Sequence, residues 1–319
     1  MPQALSRLRR FLPALPLAVL LAMAGYYSAP LPVGGALGTL GGRDASSPPA
    51  AMPAPASSSL ASGQDRYSDA LGGAAMLATG ISLEGMGNLF DYAGQLRLAA
   101  DGGDAQASWT LSRIYDYCAL YAQDPQGYSL DDQVLAGLGL QAAPGLLAAR
   151  SRVGQRCHGF ARGDQLGRLQ LLQRRQQAAR SGNLAAEAAL LAMGEPLSTR
   201  PDYRSSLVER VIQSQDPEAF LALSPAMGAV AAGDQALAGQ VAGSQFTQLA
   251  WQVAACRLGL DCGPDSVLMT TYCANGGICS RKPEQGFEAF VFDAAIAQQG
   301  GEKMNEMINY LRRPPEAGQ

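Results

Sequence analysis

Residues 99–111 read AADGGDAQASWTL, and residues 178–190 read AARSGNLAAEAAL. Both fit Ala-Ala-x-x-Gly-[Asp/Asn]-x-x-Ala-x-x-x-Leu, at a spacing of 79 residues. The pattern has a direct physical reading. The two alanines close one helix, Gly ends it, Asp or Asn caps the next, and small residues let the two helices pack closely. It predicts a helix-turn-helix unit, and units of this kind stack into arrays.

The rest of the chain suits helices. Its 319 residues allow one large or two small domains. Hydrophobic residues make up 47% and aromatic residues only 7%, so alanine carries much of the core. That balance favours close-packed helices over sheets. From Tyr67 onward helical periods dominate, and no segment alternates as a strand does. Leu111, Ile114, Tyr115, Cys118 and Tyr121 define one buried stripe. Leu166, Leu169 and Leu172 define another after Asp164. Ser206 and Glu209 form a capping box that opens a helix running to about Gln213. Asp216-Pro217 and Ser224-Pro225 each read as a cap followed by proline at the first helical position. Phe287, Phe290, Val291 and Ala294 make a further stripe. Met304, Met307, Ile308 and Leu311 make the last, stopped by Pro314-Pro315.

The N-terminus carries an export signature. Arg7, Arg9 and Arg10 precede an apolar run from Phe11 to Ala24, which closes on small residues. Residues 1–24 read either as a cleaved signal or as an uncleaved anchor, and both place the body beyond the membrane. Residues 25–63 form a linker; from 30 to 63 it holds six Pro, six Gly and six Ser, too little apolar surface to offset ordering entropy. The body divides at this level into a repeat region over 64–200, a C-terminal helical region over 201–314 and a tail over 315–319.

The paired motif resembles the helix junction of Sel1-like repeats, relatives of the tetratricopeptide repeats. The likeness covers Leu89–Tyr121 and Leu169–Met193, with a weaker echo at Ala231-Ala232-Gly233-Asp234. The spacing of 79 is about twice a usual repeat, so an irregular unit must intervene. The resemblance implies an all-α solenoid of antiparallel helix pairs, used for protein-protein contact and carrying no chemistry of its own.

Six cysteines behind an export signal imply disulfides. Cys256–Cys262 and Cys273–Cys279 are two C-x5-C units in which a helix end, a glycine turn and a second cysteine bring the sulfurs together locally. Cys118 and Cys157 then remain for each other, although six cysteines admit 15 pairings. Zinc held by four thiolates is the competing use, but x5 is wider than the usual knuckle.

Chemistry is otherwise sparse. His158 is the single histidine and lies beside Cys157, a pair that needs a free thiolate to act. Only two lysines occur, Lys282 and Lys303. Gly137-Leu-Gly139-Leu-Gln-Ala142 matches G-x-G-x-x-A but follows no strand, so it reads as a helix or turn. Asp131 and Asp132 are placed at the start of that helix, favouring its dipole. No cofactor or metal is implied. Residues 150–180 hold eight arginines and one acid, Asp164. Arg168, Arg174, Arg175 and Arg180 there form a candidate docking patch for an acidic protein surface or anionic lipid headgroups. The formal net charge of -3 gives no field for nucleic acid. The expected function is a non-catalytic interaction module of the cell envelope, with an envelope protein as partner and inner-membrane association if the anchor persists. The alternative is a periplasmic enzyme of unrecognised type, with hydrolysis one option for it, built on carboxylates such as Asp91, Asp101 and Asp104.

Overall fold

The computed structural model describes residues 83–139, 141, 143–294, 296 and 300–313. The export segment, the linker, the first part of the repeat region, Ala142 and the Pro314-Pro315 stop lie outside the described residues. Among the described residues the chain is all-helical, without strands. No helix among them is long and apolar enough to cross a membrane.

Both junctions form as the motif requires. Helix α1 (Leu89–Asp101) stops at Gly103, whose φ of +95° only glycine adopts without strain, and the Asp104 carboxylate caps α2 (Ala105–Gln123), accepting the Ala107 N–H at 2.7 Å. Gly182 (φ +92°) and Asn183 repeat the turn between α5 (Arg168–Arg180) and α6 (Leu184–Ala192), with the Ala186 N–H at 2.8 Å. The backbone bonds correspond one for one: Asp104 N–H to Ala99 O and Asn183 N–H to Ala178 O, each 3.0 Å. At the echo, Gly233 has a φ of +78° and Asp234 caps the next residues, but these are single 3₁₀ turns.

Between the two units lies a hairpin, α3 (Pro125–Gly137) and α4 (Ala143–Cys157), which accounts for the long spacing. It starts at an Asp124-Pro125 cap, so Asp131 and Asp132 sit inside α3 and not at its start. There Asp132 pairs with the buried Arg150 guanidinium of α4, which also lies 3.7 Å over the Tyr128 ring. The chain continues through α7 (Tyr203–Ser214), α8 (Pro217–Leu223), α9 (Gln245–Arg257), α10 (Val267–Ala274), α11 (Phe287–Ala294) and α12 (Gly301–Leu311).

Packing runs in series from α1 to α2, α5, α6, α8, α9 and α12. Helix α10 leaves this series and packs on α4, so the C-terminal half returns to the N-terminal half. The two cores interlock accordingly. Trp109 of α2 belongs to the larger core, centred on Phe220, Trp251 and Phe287. Cys273 and Ala274 of α10 belong to the smaller, centred on Leu89, Leu111 and Ile114.

Three sequence expectations shift. Helix α5 begins only at Arg168, so Leu169 points outward at 68% exposure while Leu171 takes the buried position. Helix α7 starts at Tyr203, one turn before the expected Ser206 box, because Tyr203 is buried and its hydroxyl donates to Glu187 at 2.8 Å. Ser224-Pro225 opens a short 3₁₀ turn, and the Ser224 hydroxyl bonds back to Leu221 O. The stripes of α11 and α12 bury Phe287, Phe290, Val291, Met304, Ile308 and Leu311, while Ala294 is exposed.

All six cysteines are paired as Cys118–Cys157, Cys256–Cys262 and Cys273–Cys279. This removes the free thiolate that a Cys157–His158 nucleophile needs. It also leaves no thiolates for zinc, and among the described residues no cluster of three His, Cys, Asp or Glu side chains is placed to hold a metal.

Candidate functional site

Where α10 returns toward the N-terminal half, it encloses a cavity of about 410 Å³. The walls come from α2, α5, α6, α8, α9 and α10, with the 3₁₀ turn at Leu83–Gly85 closing one side. Exposed Asp116, Pro225 and Asn275 mark its mouth.

Helix α2 supplies the cavity with a second face. Its Leu111, Ile114 and Cys118 enter the smaller core. Trp109, Arg113, Asp116 and Tyr117 follow at intervals of four, three and one, and line the cavity. Nearly every residue from Ala107 to Cys118 is therefore buried, and the helix is amphipathic only at its ends.

The charges in the wall are paired within it. Glu218, at the start of α8, accepts the Trp109 indole N–H on one carboxylate oxygen and the Arg113 guanidinium on the other. Arg175 reaches Asp116 at 2.7 Å and the Met193 sulfur at 2.9 Å, with its guanidinium 5.9 Å from the Trp109 ring centre. Glu84 accepts the backbone N–H of Val267, the first residue of α10, at 3.0 Å. Burial pushes the Glu84 carboxyl above the usual carboxylate range, opposed by that N–H and by Arg113 and Arg156. Burial also raises the phenols of Tyr117 and Tyr272. Opposite lie uncharged groups. Gln252 is 5% exposed, and its Oε1 accepts the Tyr272 hydroxyl at 2.7 Å. Thr271 and Asn275 complete that side.

Most arginines of the run from 150 to 180 are engaged within the fold, although Arg162, Arg168 and Arg180 are exposed. Arg174 pairs with Asp101 at 2.6 Å, joining α5 to the end of α1. Arg175 is 8% exposed and belongs to the cavity wall. Arg168 pairs with Glu195 at 3.2 Å on the surface, and Arg180 is exposed. The four side chains thus do not present four open cations on one face. Arg150, Arg152 and Arg156 fasten other segments: Arg152 pairs with Asp265 at 2.9 Å, and Arg156 holds the carbonyls of Leu83 and Met86.

The carboxylates considered for hydrolysis do not meet in the cavity. Asp91 is exposed on α1, Asp101 is tied to Arg174, and Asp104 caps α2. Sequence reasoning missed Trp109, Arg113, Glu218, Gln252 and Tyr272. One local signal was available: one of only two tryptophans, with an arginine one turn later, on a helix whose other face is already apolar.

No family model, curated protein or solved structure matches the chain. The likeness to Sel1-like repeats therefore rests on the two junctions.

Proposed function

We propose that the protein is an exported, non-catalytic binding module of the cell envelope that holds a segment of a partner protein in the cavity. The observation that carries this reading is the charge pairing of the cavity wall. Arg113, Arg175, Asp116, Glu218 and Glu84 each already serve another group of the wall, and among the described residues no lining hydroxyl is hydrogen-bonded to a carboxylate or histidine, the pairing that activates a nucleophile for hydrolysis. Apolar and amide groups fill the space between them, a lining suited to binding. The series of helix pairs supports a solenoid of the Sel1-like type, since α2 of the first unit packs on α5 of the second. Its departure from that type is the return of α10, which converts an open curve into a cavity. Three disulfides agree with an oxidising compartment, and the basic N-terminus with export, either as a soluble protein or as one tethered at the inner membrane.

Photo-crosslinking in intact cells tests the reading. A benzophenone amino acid replaces Pro225 or Asn275 at the mouth, or Val134 on the outer face of α3. The expected result is a discrete adduct from the two mouth positions and none from Val134. Adducts from none of the three, or equally from all three, would overturn it.

A further inference from the structure

The two sides of the cavity differ in chemistry. Given the binding role proposed for the cavity, on which this inference rests, the difference specifies its occupant. On the side of α2, α5 and α8 every charged side chain already has a partner in the wall, and only the buried Arg175 Nε and the Tyr117 hydroxyl keep unbonded polar atoms there. Arg113 and the Trp109 N–H share Glu218, and Arg175 holds Asp116. Glu84, on the turn at Leu83–Gly85, caps α10. A charged side chain entering here would give up its water and meet only neutral polar groups and charges already bonded to one another, so it would bind far more weakly than an uncharged one. A charged ligand is disfavoured for that reason.

On the side of α9 and α10 the groups are neutral and directional. The Tyr272 hydroxyl fixes the Gln252 oxygen, which leaves the amide N–H groups of that buried, cavity-lining side chain as its remaining donors. Asn275 at the mouth carries both a donor and an acceptor. A side-chain carboxamide offers the same donor and acceptor set as a peptide group, so it pairs naturally with a backbone. Leu221, Ala222, Leu260 and Leu268 supply apolar surface between the two sides.

Size narrows the choice further. A volume of about 410 Å³ lies near the lower end of ligand pockets. An α-helix engages its backbone N–H and C=O groups in its own hydrogen bonds, so it offers few main-chain partners to Gln252 and Asn275. An extended chain rising about 3.3 Å per residue can place two or three residues in the cavity.

We propose that the cavity takes a short, extended, uncharged segment of a partner polypeptide. Gln252 and Asn275 hold its backbone amides, and one apolar side chain sits between Trp109, Leu221 and Leu268. Neither amide belongs to the repeated junction motif: Gln252 lies on α9, and Asn275 at the end of α10, the helix that closes the cavity.

The test uses the oxidised full chain. A random heptapeptide display library is panned on it, and selected sequences are made as peptides with acetylated and amidated ends for fluorescence anisotropy. Selected peptides are expected to share an uncharged core with an apolar residue. Lys or Asp in place of that residue should weaken binding about a hundredfold, as expected for a buried unpaired charge. Gln252→Ala should weaken binding about tenfold, the loss of one buried hydrogen-bonded group. Asn275→Ala, at an exposed position that leaves the fold alone, should weaken it several-fold, and Val134→Ala should change nothing. Peptides that bind equally well with Lys or Asp in the core would overturn the inference. So would full affinity in both Gln252→Ala and Asn275→Ala, or binding of a panel of neutral glycans where no peptide binds. Mouth crosslinks combined with any of these results would sink the inference and leave the binding role standing; absent mouth crosslinks would sink the binding role itself.

Discussion

The junctions at residues 99–111 and 178–190 share one geometry and differ in what surrounds them. Each has a glycine at positive φ, an Asp or Asn cap and the same pair of backbone bonds. The first is followed by an inserted hairpin, α3 and α4, bound to α2 by the Cys118–Cys157 bridge. The second runs on into α7 and is held without a disulfide, by packing in the larger core and by side-chain bonds: Glu187 of α6 takes two bonds from Arg210, at 2.9 and 2.6 Å, and one from Tyr203. A thirteen-residue code thus fixes a turn but not the neighbourhood of that turn. The insertion after the first unit provides α4, the surface on which α10 lands to close the cavity.

The largest test of this contrast removes the sulfur from the first region. Cys118 and Cys157 lie 39 residues apart. A loop of that length gives about 4 kcal/mol by the chain-entropy estimate, against about 2.4 kcal/mol for a clip of about seven residues. Replacing both Cys118 and Cys157 by Ala should therefore cost more than replacing Cys256 and Cys262, which are 6 apart. Urea unfolding of the two double variants checks this, with the midpoint lower for the first. Equal midpoints would mean that packing, not the bridge, keeps the hairpin docked on α2.

The contrast also marks what the sequence could disclose. The junctions and the three cysteine pairs depend on residues close in the chain or left over from such pairs, and both were legible. The cavity was not. Glu218 meets Arg113 across 105 residues, and Val267 meets Glu84 across 183. Periodicity within one helix records which face is buried, not what the face meets. On α2 it showed the leucine face and passed over the face with Trp109, because a polar residue between apolar ones reads as solvent-facing. The arginines of 150–180 misled for the same reason: Arg174 and Arg175 look like a basic patch until Asp101 and Asp116 are placed opposite them.

A smaller effect tests whether the two turns are equivalent. Gly103 and Gly182 have φ of +95° and +92°, with nothing within 4 Å of where a Cβ would stand. Alanine at either position meets no clash, so its cost is backbone strain alone, about 1–2 kcal/mol. Thermal melts should show the same loss for Gly103→Ala and Gly182→Ala. A clearly larger loss at one position would mean that its surroundings resist a shift of the turn that the other permits.

The finest distinction lies in the caps. Asp104→Ala and Asn183→Ala each remove one acceptor from a helix start and should each cost about 1 kcal/mol. The two caps are not identical, however. Asn183 also donates through Nδ2 to Gln106 Oε1 at 3.0 Å, so the second junction touches α2 of the first unit directly. Asn183→Asp keeps the acceptor for Ala186 N–H and gains charge at a helix N-terminus, which is favourable by a few tenths of a kcal/mol. It loses the donor to Gln106, worth about 0.5–1.5 kcal/mol, and places two acceptors face to face. The loss outweighs the gain, so Asn183→Asp should be less stable than wild type, and Asp104→Asn close to neutral. If Asn183→Asp is as stable as the native chain, the bond to Gln106 contributes nothing, and each turn is fixed by its own thirteen residues without help from the other.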